Sequence, residues 1–238
     1  MSGITAAVIF LLFACYLGVQ VFKNFQLRQM NTGLKGKDYE TVEKLADMPM
    51  SRRLLGEYTC DLYKLRALYL AQDTDRFEDM LHRMIAATYK NPADKKSFLE
   101  QYFHIFLLKG NRKYADWLLE AIRQSGDEKL ARYTGQAYEV IFDRRTDLIA
   151  EMDAQIDAKQ YYGFPLGVVL FMIAKQYEYL GDEENAGSYY RSAKVCFHPK
   201  ALYVPVIREN LRRLGQPEDI QEGMRAQQRR RSKQPNGE

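Results

Sequence analysis

Residues 3–22, GITAAVIFLLFACYLGVQVF, make a run of twenty residues without a charge, and this run limits what the chain can fold into more than any other feature. As a helix rising 1.5 Å per residue it would span about 30 Å, the hydrocarbon thickness of a bilayer. Eleven of the twenty are Ile, Leu, Val or Phe. At about −0.3 to −0.6 kcal/mol each on an insertion scale, they contribute about −3 to −7 kcal/mol together. Gln20 offsets part of this, but near the end of the run it falls at headgroup depth. A buried core helix is disfavoured, because the run is apolar all round and too long. Residues 1–23 therefore read as a transmembrane anchor.

Two other readings use the same residues. A cleaved signal peptide begins with a basic region and ends in small residues, yet nothing basic precedes Lys23 and no A-x-A site follows the run. Leu12-Phe13-Ala14-Cys15 resembles a lipobox, but Phe13 is bulky for its place and the apolar run continues past Cys15. Orientation follows from flanking cations. Lys23, Arg28, Lys35 and Lys37 follow the span and none precedes it. The N-terminus is thus expected outside, and the body, with its unpaired Cys60 and Cys196, in the reducing cytosol.

Lys23, Arg28, Lys35 and Lys37 are also expected to face anionic lipid, in and at the borders of a basic juxtamembrane segment at residues 24–36 that merges into the body. Residues 38–215 are nearly neutral, and the formal net charge of +4 is concentrated at the two ends. Arg225, Arg229, Arg230, Arg231 and Lys233 make the second basic stretch, in a polar tail at 216–238 that is short of large apolar residues. Hydrophobic residues are 46% and charged ones 28%, which excludes a disordered chain and a polytopic membrane protein. With 15 Gly and 7 Pro in 238 residues, turn-rich all-β folds are also excluded. Three widely spaced cysteines form neither a disulfide framework nor a zinc ribbon.

The body repeats itself. Leu34–Glu40, Ala71–Glu78, Leu108–Ala115, Phe142–Leu148 and Leu180–Ala186 each join an apolar helical segment to a polar turn, then restart the apolar rhythm. Anchored at Gly36, Asp73, Gly110, Arg145 and Gly181, they step by 37, 37, 35 and 36 residues, the mark of a repeat architecture. Between turns the period is helical. Leu170, Ile173, Ala174 and Tyr177 share one stripe before the fifth turn, and Ala186, Tyr190 and Ala193 share one after it. The predicted fold class is all-α.

The fifth unit, with Gly181, Asp182, Ala186, Tyr190, Ala193 and Pro199 in place, resembles a tetratricopeptide repeat. The third matches through Leu99, Tyr102, Phe103, Phe106, Ala115, Leu119 and Ile122. The fourth has Arg145 where the turn glycine belongs, the second has a shorter turn, and the first has only its second helix around Tyr39, Val42 and Leu45. The resemblance covers residues 34–199. It implies an α-solenoid of about five helix pairs over residues 37–215, ending in a capping helix at 200–215.

No signature of catalysis is present: no phosphate loop, no dinucleotide fingerprint and no HExxH. His82, His104 and His198 lie apart from one another and from any cysteine. The acidic face of Asp147, Glu151, Asp153 and Asp157 reads as solvated, opposite Ile149, Met152 and Ile156. The expectation is a protein that is not an enzyme, with no cofactor, no metal and no small-molecule substrate, and for which nucleic acid is the weakest partner. Placing the tetratricopeptide register on this chain, the resemblance implies groove-facing residues Glu100, His104 and Leu107 in the third unit. It implies Arg132, Glu139 and Phe142 in the fourth, and Val168, Phe171, Lys175 and Glu178 in the fifth. Such walls hold protein or peptide partners. The implied function is a membrane-anchored scaffold in assembling or regulating membrane proteins. A mitochondrial-type import receptor and an extracytoplasmic envelope protein share the same architecture.

Overall fold

The computed structural model describes residues 3–218, and among them every regular element is a helix and none is a strand. The basic cluster Arg225 to Lys233 lies outside the described residues. The chain divides into two compact units, Met1–Ser97 and Phe98–Glu238.

The first unit begins with α1 (Gly3–Gly36), which runs unbroken from the apolar stretch into the body. It is followed by α2 (Tyr39–Asp47), α3 (Pro49–Leu55), α4 (Glu57–Ala71) and α5 (Thr74–Ala86). The predicted first repeat, with its opening helix merged into the anchor, corresponds to the end of α1 and α2. The short helix α3 has no counterpart in the repeat pattern. Met30, Val42, Ala46, Cys60 and Ala67 form the core here, with Leu34, Tyr39, Leu45, Leu55 and Tyr63 packed around it. Gly33 makes this closeness possible, since a Cβ there would stand 2.6 Å from Cγ2 of Val42.

Helix α6 (Pro92–Leu108) starts in the first unit and carries Phe98 to Leu107 into the second. The second unit continues with α7 (Arg112–Gln124), α8 (Glu128–Phe142), α9 (Ile149–Asp157), α10 (Phe164–Tyr179), α11 (Glu183–Cys196) and α12 (Tyr203–Arg213). Within it α7 packs on α8, α10 on α8, α9 and α11, and α11 on α12.

One local solution recurs at the turns. A residue with positive φ (Lys37, Gln72, Gly110, Gly126 or Gly181) precedes an N-capping Asp38, Asp73, Asn111, Asp127 or Asp182, whose side chain accepts from the backbone N–H three residues on. The N–H of Asn111 returns 2.9 Å to the carbonyl of Phe106, and that of Asp182 2.9 Å to Tyr177. These bonds close the preceding helix while the carboxylate or amide opens the next. Glycine is therefore favoured at the left-handed position, and Lys37 and Gln72 occupy it at some cost.

The fourth turn departs from this rule. Its left-handed residue is Arg144 rather than the Arg145 chosen as anchor, and Leu148 opens α9 without a side-chain cap of its own. The cap comes from another helix instead: Oε1 of the buried Gln176 on α10 accepts from the Leu148 N–H at 2.9 Å. Arg145 is held by Glu139 at 2.6 Å and by both oxygens of Asp147 at 2.9 and 2.6 Å.

Candidate functional site

Helix α1 has two unlike halves. From Val8 to Val19 every side chain is exposed, including Phe10, Leu11 and Leu12. From Gln26 onward the helix enters the protein, with Gln26, Met30 and Gly33 buried. Among the described residues one helix is thus long and apolar enough to cross a membrane. Of the four cations expected to face lipid, Lys23 and Arg28 lie one and six residues past Phe22, within about 9 Å along the helix. Lys35 is about 20 Å past Phe22 and Lys37 farther, beyond the Debye length of about 8–10 Å. A continuous rod, which residue order alone does not specify, produces this separation.

The ten residues expected to line a groove fall into two classes. His104, Leu107, Val168 and Phe171 are buried, so they offer no wall to a ligand. The chain's own C-terminal segment covers part of that place: the Tyr203 ring lies 5.6 Å from His104 and 4.9 Å from Phe171, and stacks on Phe197 at 4.9 Å. The hydroxyl of Tyr203 is 2.8 Å from Nδ1 of His104. Phe164 joins the same cluster, and Tyr133 stacks on the imidazole. Register analogy places these residues on a helix face but is silent on what covers that face.

The other six keep some surface, and all have partners within the unit. Glu100 accepts from the Tyr133 hydroxyl, and Glu139 from Arg145. Phe142 packs on Tyr138 with the Arg112 guanidinium 5.2 Å above its ring. Arg132, the most open of the ten, reaches Gln160 at 3.5 Å. Lys175 pairs with Glu178 at 2.9 Å, and Glu178 also accepts from Tyr190 at 2.7 Å and from Arg213 of α12. Burial pushes the Glu178 carboxyl up. The hydrogen bonds from Tyr190, Lys175 and Arg213 outweigh that and hold it below its ordinary value. This carboxylate ties α10, α11 and α12 together.

Burial without a charged partner lowers His104 to about 3, so the imidazole is neutral, and its Nε2 has no hydrogen-bond partner. Tyr190 and Tyr203 are raised above the ordinary phenol range by burial, Tyr190 additionally by Glu178. These are the signs of a polar network inside an apolar core, in which each hydroxyl tip needs a mate.

In the first unit a cleft of about 730 Å3 opens among Arg52, Arg53, Tyr58, Tyr89, Lys90 and Asp94. Behind it the buried Asp61 accepts from Arg52 at 2.9 Å and from the Tyr89 hydroxyl at 3.2 Å. Sequence reasoning passed over Asp61. Its signal was a lone acid on an apolar face of α4, beside Cys60 and in line with Leu65 and Leu68. Among the described residues no group of three or more His, Cys, Asp or Glu could hold a metal ion.

No family model, curated protein or solved structure matches this chain.

Proposed function

We propose that the chain is a non-catalytic scaffold anchored by a single transmembrane helix, with its N-terminus outside and a tetratricopeptide-like α-solenoid at the cytosolic membrane face. The observation that carries the reading is α1: bare and apolar through Phe22, then built into the first unit's core from Gln26. The anchor continues as one helix into the first unit, so the chain is tethered to the bilayer and its effective concentration towards partners there is raised. The recurring left-handed turn with an Asx cap supports the solenoid reading. Partners are proteins or peptides at the membrane, engaged through the accessible part of the wall: Glu100, Arg132, Glu139, Phe142, Lys175 and Glu178.

Deleting residues 1–22 is expected to leave a soluble, helical, cooperatively unfolding body that no longer captures its partner from a photocrosslinker placed at Arg132. An unfolded body after this deletion would overturn the reading. Topology is read from Val195→Cys, at a position 71% exposed, with an impermeant thiol reagent on intact cells. Modification without lysis rules out the cytosolic body. The native Cys60 cannot report, because it is buried and its thiol is pushed up to about 11 by that burial.

A further inference from the structure

The corner between α2 and α3 exposes two methionines, Met48 at 44% and Met50 at 55%. On α1, Phe22 and Phe25 are exposed as well, Phe25 at 54%. These four residues are neighbours in height. Gly33 of α1 faces Val42 of α2, and the turn between the helices is only Lys37-Asp38, so α2 runs back along α1. Six residues on from Val42 is Met48, and six residues back from Gly33 is Leu27, about 9 Å along each helix. Met48 therefore stands level with Leu27, about 7 Å beyond Phe22. The headgroup layer is about 5–8 Å deep on each side of a bilayer. Protein does reach this height against α1: Gln26 is buried at 3%, and α3 touches α1.

We infer that the α2–α3 corner, through Met48, Met50 and Arg53, seats in the lipid headgroup layer as a second membrane contact beside α1. This inference rests on the anchor reading above. The occupant is lipid because, at the height where α1 passes from its apolar run to Lys23, Asn24 and Arg28, the corner exposes two methionines beside a cation, the mixture of apolar and basic side chains that a headgroup layer takes. Arg53 is exposed and follows Met50 by three residues, on the same face of α3, where its stem can lie on the apolar surface and its guanidinium can reach phosphate. The nearest acid on α2, Asp47, is tied to Lys64 at 2.6 Å. A lone span leaves its tilt free. A second contact on one side of α1 sets the direction in which the first unit leans towards lipid.

The test uses the full chain in vesicles of phosphatidylcholine and phosphatidylglycerol. A polarity-sensitive fluorophore is attached at Met50→Cys or at Lys35→Cys, each in a Cys15→Ser, Cys196→Ser background. A third sample carries it at native Cys15 with Cys196→Ser. Quenching is read with lipids bearing a nitroxide in the headgroup or deep in the chain. Expected are deep-nitroxide quenching at 15, headgroup-nitroxide quenching at 50 severalfold above that at 35, and a blue shift at 50 alone. Position 35 is the outer control, about 20 Å past Phe22 along the helix. Quenching at 15 with position 50 no different from 35 overturns the inference while leaving the anchor intact, and a protein partner or second copy then covers the corner. Absence of quenching at 15 removes the anchor reading, and the inference falls with it.

Discussion

The two units pack their helices by different means. The first brings helices close through small contacts: Gly33 against Val42, with Ala46, Cys60 and Ala67 filling the interior. The second fills its interior with rings. Phe164, Phe171, Tyr190, Phe197 and Tyr203 meet edge-to-face or stacked, with His104 and Tyr133 at one end. Close approach needs no polar partner, whereas buried phenols and an imidazole do. The Gly33–Val42 core of the first unit is thus specified by shape, with hydrogen bonds to a buried acid confined to Asp61, Arg52 and Tyr89, whereas the core of the second joins shape to hydrogen bonds of His104, Tyr190 and Tyr203 within its ring cluster.

Acid should separate the two most sharply. An unfolded histidine takes up its proton near pH 6.5, whereas folded His104 resists until about 3. Stability from this group is therefore complete above pH 6.5 and is lost as pH falls, at about 1.4 kcal/mol per unit and about 5 kcal/mol across the window. Glu178, held below its ordinary value, adds a loss of the same sign at lower pH. The single Trp117 lies in the second unit, so its fluorescence should report acid unfolding before far-UV circular dichroism is complete. His104→Gln should flatten the fluorescence profile between pH 6.5 and 4. A profile that keeps its slope would erase the distinction between the cores.

Next in size are two glycine substitutions. Gly33→Ala places a Cβ 2.6 Å from Val42 Cγ2 and 3.2 Å from the Asp38 carbonyl. Gly167→Ala places one 2.7 Å from the Phe197 ring. Each should cost about 1–3 kcal/mol by overpacking. In denaturant titrations Gly167→Ala should move the Trp117 transition, and Gly33→Ala only the part of the circular dichroism change that Trp117 does not follow. Val42→Ala should partly rescue Gly33→Ala.

Gln176→Leu should cost about 1–2 kcal/mol, because it leaves the Leu148 N–H without its acceptor inside the second unit. Hydrogen exchange should speed up at the start of α9 more than in α7. The smallest effect belongs to Lys44→Ala, which removes a pair with Glu40 at 2.6 Å on an open helix face. Both unfolding transitions should stay where they are.

Legibility in the sequence followed the range of the interactions. The helical period, the turn positions other than the fourth and the final amphipathic helix all rest on contacts within a few residues, and they were readable from residues such as Ala186, Tyr190 and Gly181. The α3 helix was missed because seven residues carry too little periodicity. For the ten residues expected to line a groove, exposure was not readable from register alone. Glu100, Arg132, Glu139, Phe142, Lys175 and Glu178 keep some surface, but His104 and Phe171 are covered by Tyr203, which lies 99 residues along the chain from His104.

The uncharged first segment, the helical class and the capped turns were settled by residue order alone, because hydrophobic transfer, local periodicity and capping act at short range or on composition. Three matters were left to tertiary structure: the rigid continuation of α1 into a core at Met30, the cap that Gln176 lends to α9, and the aromatic cover over His104. Each depends on which distant segments meet. That outcome is fixed by how side-chain volumes fill a shared interior, which no single stretch of sequence contains.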